Sequence, residues 1–230
     1  MRLIGRYSSP FVRRVAVTLG HYGMAYEHIS VMPFGATKAD VARFNPIARV
    51  PILLLDDGEG LCDSAAILDH LDEVAGPERA LVPSHGKARR RVLALLAIAL
   101  GSNEKLVTAL YERHFRPREI WHQPWIEACE GQVRDGYLWL EEQFTGPWFT
   151  GGEMTQADLT TAVFWSFGMA KRPGLFAKLN CPKLRALSER LEATPAFKAI
   201  QPEPEMLSKQ LGGGPNSSAG ATTAGAGRSA

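Results

Sequence analysis

Ser9 is followed by Pro10 and then by Phe11, Val12, Val15, Ala16 and Leu19, apolar residues at helical spacing. Serine is a favoured N-cap and proline a favoured first helical residue, so this pair opens a helix. A hydroxyl there stands among unpaired backbone N–H groups at the positive end of the helix dipole. It can donate to a bound thiolate, which favours the charged sulfur and lowers the thiol pKa, or it can serve as a cap and nothing more. Arg49, Val50, Pro51 begins an apolar run. Proline at a strand entrance marks a bend, a cis bond or a plain edge residue. A cis bond would turn the backbone N–H and C=O of Val50 towards an extended peptide pairing as an added strand. Asp63, Ser64 stands before a third helical pattern. There the serine and the backbone amides suit a carboxylate and Asp63 suits an ammonium group, although a simple cap fits as well.

The elements that must carry these residues alternate. Residues 2–7 read as a first strand, and the helix from Ser9 ends at Gly20 or Gly23. Residues 26–31 read as a second strand, 38–44 as a weak helix, and 50–55 as a strand. A hairpin turn over 56–60 leads to a short strand at Leu61 and Cys62, and Asp63 opens the next helix. Gly76, Pro77 and Pro83 are breakers. Beyond them the pattern is helical only, over 87–115, 125–144, 156–169 and 182–191. The change of pattern places a domain boundary here: 1–76, a linker 77–83, a helical domain 84–211, and a tail 212–230. That tail is glycine, serine, alanine and threonine with almost nothing large and apolar, and disorder is expected.

The totals bound the function. The 230 residues carry a net charge of +2, which calls for neither nucleic acid nor a membrane surface as partner. No signal peptide and no membrane span is read. Three widely spaced cysteines argue for a reducing compartment, with the cytoplasm as the expected location. His114 and His122, near Glu112 and Glu119, lack a metal-site spacing, and no metal is expected. Tyr111, Phe115, Trp121 and Trp125 gather around a break at Pro117 and read as an apolar pocket or as core. Thr155 to Asp158 reads as a capping box, so Asp158 is assigned a structural role.

Taken together, the Ser-Pro-Phe helix start, Val50-Pro51, Asp63-Ser64, the stretch Phe44, Asn45, Pro46 and the switch to helices resemble the cytosolic glutathione transferase family, in its serine-type, bacterial-like form. The resemblance runs from Met1 to about Ile200. It implies a thioredoxin-like α/β N-terminal domain followed by an all-α C-terminal domain that supplies most of the acceptor pocket. It implies that Ser9 is catalytic and hydrogen-bonds the glutathione sulfur, and that Val50 pairs with the cysteinyl backbone beside a cis Pro51. Asp63 and Ser64 would hold the γ-glutamyl end, and Arg49 would stand near the glycine carboxylate. Tyr7 and Ser8 are neighbours that could contact the thiol instead. Phe11, Tyr111, Phe115 and Trp121 are candidates for the acceptor pocket. Glutathione is implied as co-substrate, a small electrophile as partner, a homodimer as assembly and detoxification as role. The same residues also suit a glutathione-dependent isomerase or peroxidase, or a non-catalytic glutathione-binding or regulatory protein.

Overall fold

The computed structural model describes residues 1–203, so the stretch 212–230 lies outside the described residues. Four short strands, β1 (Arg2–Ile4), β2 (Glu27–Ile29), β3 (Ile52–Leu54) and β4 (Gly60–Cys62), form one sheet in the order β2-β1-β3-β4. β1 runs parallel to β2 and antiparallel to β3, with Leu3 opposite both His28 and Leu53, and β3 pairs antiparallel with β4. Helix α1 (Pro10–Tyr22) makes the crossover between β1 and β2, as a parallel pair requires. Helices α2 (Lys38–Ala42) and α3 (Ser64–Ala75) complete this part. Leu3, Val15, Leu19, Leu53, Ile67 and Leu71 bury the facing sides of sheet and helices.

No strand follows Cys62 among the described residues. The chain continues as α4 (Gly86–Phe115), α5 (Gln123–Gln143), α6 (Gln156–Lys171), α7 (Pro173–Phe176), α8 (Pro182–Glu192) and α9 (Pro195–Ala199). The short helices α7 and α9 have too few turns to leave a periodic signal, and each is started by a proline. α4 is long and apolar enough by composition to cross a bilayer. Its Val92, Leu95, Ala99 and Leu106 are nevertheless buried, packed with α5 and α6. α6 is buried nearly all round, which explains its lack of an amphipathic pattern. Gly168 of α6 admits the Phe176 ring so closely that an added Cβ would lie 2.0 Å from it.

β1 is shorter than its sequence pattern. Gly5 leaves the strand with φ +127°, a conformation open to glycine, while its N–H still donates to Ile29 O at 2.9 Å. A Cβ at Gly5 would lie 2.6 Å from Val12 Cγ2 and 2.9 Å from Val50 Cβ. The end of β1, the first turn of α1 and the residue before Pro51 thus meet at one point.

Candidate functional site

The turn from β1 into α1 is closed by the Ser9 N–H donating to Arg6 O at 3.0 Å. Ser9 then caps α1 in an extended conformation, its carbonyl accepting from Arg13 N at 2.9 Å. Its Oγ accepts from Val12 N at 3.5 Å, a long and weak cap, and the hydroxyl proton has no acceptor among the described residues. The N-terminal turn of α1 holds no acidic side chain to offset the helix dipole.

Ser9 lies on the wall of a cleft of about 600 Å³ between the sheet part and the helices. Ser8, Phe11, Arg49 and Val50 share this wall, and Tyr111 closes the far side from α4. The Val50–Pro51 peptide is cis, and Val50 precedes β3 outside its ladder pairs. Arg49 forms an ion pair of 3.1 Å with Glu104 across the cleft. Pro51 is buried below the rim.

Asp63 and Ser64 begin α3 and do not line the cleft itself. Asp63 is exposed and held at φ +73°, a costly backbone for a non-glycine residue, with Oδ1 accepting from Ala65 N at 2.7 Å. Ser64 is buried. Arg14, which the pattern of α1 did not single out, lies close enough to the start of α3 to feel the charge of Asp63. Its guanidinium is fully buried with Nε and Nη1 unpartnered. Burial lowers its pKa to about 10, and the charge of Asp63 opposes that effect.

The Tyr7 side chain and the Ser8 N–H, next to Ser9, are engaged elsewhere. The Tyr7 hydroxyl shares a hydrogen bond of 2.8 Å with Tyr26, and its ring stacks on His28 at 3.9 Å. Burial first, then the Tyr26 bond and the charges of Tyr26 and Glu203, push the Tyr7 phenol well above its ordinary range. Tyr7 faces a smaller cavity of about 210 Å³ on the other side of the turn. There the Glu203 carboxylate accepts from Ser8 N at 2.8 Å and from Ser30 Oγ at 3.3 Å. This long-range contact left no trace in local pattern.

The aromatic candidates divide. Phe11 packs edge-on against Phe164 and lines the cleft, as does Tyr111. Phe115 stands at the rim, 5.6 Å from Phe34 and 5.0 Å from Tyr111 between ring centres. Trp121 is not part of this group. It packs against Ala109, Ile126 and Cys129, and its Nε1–H donates to Arg116 O at 2.9 Å. Phe34 and Arg6, unremarked in the sequence pattern, do line the cleft.

Residues 3–79 match the model of the glutathione S-transferase N-terminal domain family. An uncharacterized GST-like protein, YibF, of Escherichia coli (strain K12) is 36% identical over 149 residues, spanning 60% of this chain and 72% of that protein. A probable maleylacetoacetate isomerase of Vibrio cholerae is 30% identical over 220 residues, spanning 87% of this chain and 95% of that protein. Among solved structures, a glutathione S-transferase of Methylobacterium radiotolerans in complex with glutathione sulfonate superposes with a TM-score of 0.81. It is 26% identical, over 89% of this chain and 95% of that one.

Proposed function

The chain belongs to the glutathione transferase family, and from that premise we propose that it is a glutathione transferase whose Ser9 activates the thiol for attack on a small electrophile. The observation that carries the reading is an uncommitted hydroxyl proton at a helix N-terminus, on the wall of a cleft with apolar walls. In this reading glutathione extends from Asp63 and Ser64 past Val50, with Arg49 near its glycine carboxylate. Its sulfur rests at Ser9 Oγ, which donates to the thiolate, while the α1 dipole adds to the preference for negative charge. A thiol pKa lowered by about two units corresponds to about 2.7 kcal/mol of preference for the thiolate. The sulfur then forms a C–S bond to the acceptor in the cleft beside Phe11 and Tyr111, the leaving group takes its bonding pair, and the thiol proton passes to solvent. Three cysteines free of disulfides suit the cytoplasm in this reading, and a homodimer is its expected assembly.

The test uses calorimetric binding of glutathione, the ultraviolet absorbance of the bound thiolate, and turnover of an aryl halide. Ser9→Ala should bind glutathione with little change, lose the thiolate signal at neutral pH and lose on the order of a hundredfold in kcat/KM. Unchanged thiolate formation and turnover would remove Ser9 from this role. A second reading, a glutathione-dependent isomerase, draws on the similarity to the Vibrio cholerae relative. It uses the same thiolate, adding to a conjugated double bond and leaving after rotation, so isomerisation of a cis enone without consumption of glutathione identifies it. If glutathione binds and a panel of electrophiles, enones and peroxides shows no turnover, the protein is a non-catalytic binder.

A further inference from the structure

The cleft is lined by more cations than anions, and these cations are not equivalent. Arg49 is paired with Glu104 at 3.1 Å, and Arg113 with Glu130 at 2.8 Å. Arg6 is different. It lines the cleft beside Ser8 and Ser9, and no hydrogen bond or ion pair joins its side chain to any described residue. Its Nε is shut off from solvent and unpartnered. The nearby carboxylate of Glu203 is taken by Ser8 N–H and Ser30 Oγ and belongs to the smaller cavity, not to the cleft. A buried N–H without an acceptor is costly, and a guanidinium is shaped to receive both oxygens of a carboxylate.

The sheet order locates Arg6 relative to glutathione. β3, with Val50 just before it, and β4, which leads to Asp63, lie on one side of β1; β2, which leads to Val31 and Phe34, lies on the other. Arg6 follows β1 and borders the cleft together with Val31, Phe34 and Phe11, whose side chains are apolar. On this side of the cleft apolar side chains therefore surround Arg6, whose charge no described residue neutralises.

Resting on the transferase reading above, we propose that the acceptor is an apolar electrophile bearing an anionic group, a carboxylate in the first instance, and that Arg6 binds that group and sets this specificity. For a chloronitrobenzoate the step balances simply. The thiolate pair forms the C–S bond, chloride leaves with the C–Cl pair, and the proton released from glutathione goes to solvent.

Two measurements test this on the full chain. The first compares kcat/KM for 4-chloro-3-nitrobenzoate and for its methyl ester, in wild type, Arg6→Ala and Arg6→Lys. Arg6→Ala should lose roughly tenfold or more on the acid and less than about twofold on the ester, with partial recovery in Arg6→Lys. The second measures Kd for S-(4-carboxybenzyl)glutathione, S-benzylglutathione and glutathione itself. Wild type should favour the carboxylate conjugate roughly tenfold, Arg6→Ala should lose that preference, and the affinity for glutathione should stay the same. Equal affinities for the two conjugates in wild type, or equal losses on acid and ester, overturn the proposal and leave the transferase reading intact. A loss of glutathione affinity in Arg6→Ala overturns it too, by assigning Arg6 to the peptide. If the conjugates discriminate as expected and nothing turns over, the specificity of Arg6 stands and the transferase reading fails. If neither conjugate nor glutathione binds, both fall.

Discussion

At the residue scale the question is which hydroxyl meets the sulfur, since Tyr7, Ser8 and Ser9 are adjacent. Hydrogen bonding separates Tyr7 from the two serines. A phenol pushed up in pKa and tied to Tyr26 is a poor partner for a thiolate, whereas the Ser9 proton is uncommitted. Tyr7→Phe is therefore expected to keep kcat within about threefold of wild type, against the large loss expected for Ser9→Ala. Steady-state kinetics on the two variants checks this, and a Tyr7→Phe loss as large as that of Ser9→Ala would shift the role to Tyr7. Arg6 and Arg14 carry the other lesson at this scale. Both are arginines near a helix start, where a sequence reads solvated charge, yet one is fully buried and the other is unpaired on a cleft wall.

At the scale of elements, the positions of the site depend on helix starts. Asp158 shows how firmly such a start can be built. Its Oδ2 accepts from both the N–H and the hydroxyl of Thr155 at 2.8 Å, and its Oδ1 accepts from Phe149 N at 2.9 Å, all buried. The carboxylate thereby ties the loop before α6 to the helix that forms the back of the cleft. Asp158→Ala should cost about 2–3 kcal/mol, read by urea unfolding at neutral pH. Burial, the largest influence, holds the Asp158 carboxyl above its ordinary 3.8 in spite of these bonds. A raised acid binds its proton more tightly in the folded chain than in the unfolded one. Its contribution is therefore fullest below the unfolded value and declines as pH rises through the folded value. The stability gap between wild type and Asp158→Ala should accordingly narrow from acid to neutral pH. A gap that widens would contradict the assigned direction.

At the scale of the whole molecule, the most buried of the ion pairs between the sheet part and the helices is that of Arg13 with Glu192. Arg13 of α1, buried, makes two bonds of 2.6 and 2.7 Å to Glu192 at the end of α8, and its Nε donates to Ile200 O at 2.9 Å. Removing one member of a buried pair leaves the other charge uncompensated. Arg13→Met should lower stability by about 2–3 kcal/mol, discounted for the partial exposure of Glu192, and chemical denaturation followed by both fluorescence and circular dichroism checks it. A change below about 0.5 kcal/mol would mean that this pair adds nothing to the junction of the two parts.

The sequence by itself determined the longer elements and the fold class. Period-two runs, period-3.6 runs and capping pairs are local signals, and they outline a small α/β layer followed by helices, with Ser9, Val50, Pro51, Asp63 and Ser64 at element ends. What it could not decide depends on residues far apart in the chain. Trp121 and Phe34 are both aromatic residues in loops, and only tertiary packing put one, half-buried, against a small cluster between α4 and α5 and the other on the cleft. Arg13 and Arg14 are neighbours, and only the approach of α8 paired the first while the second stayed buried with its Nε and Nη1 lacking hydrogen-bond partners. The state of each charge is set by the desolvation and the partners that folding brings to it, and neither is written in local spacing.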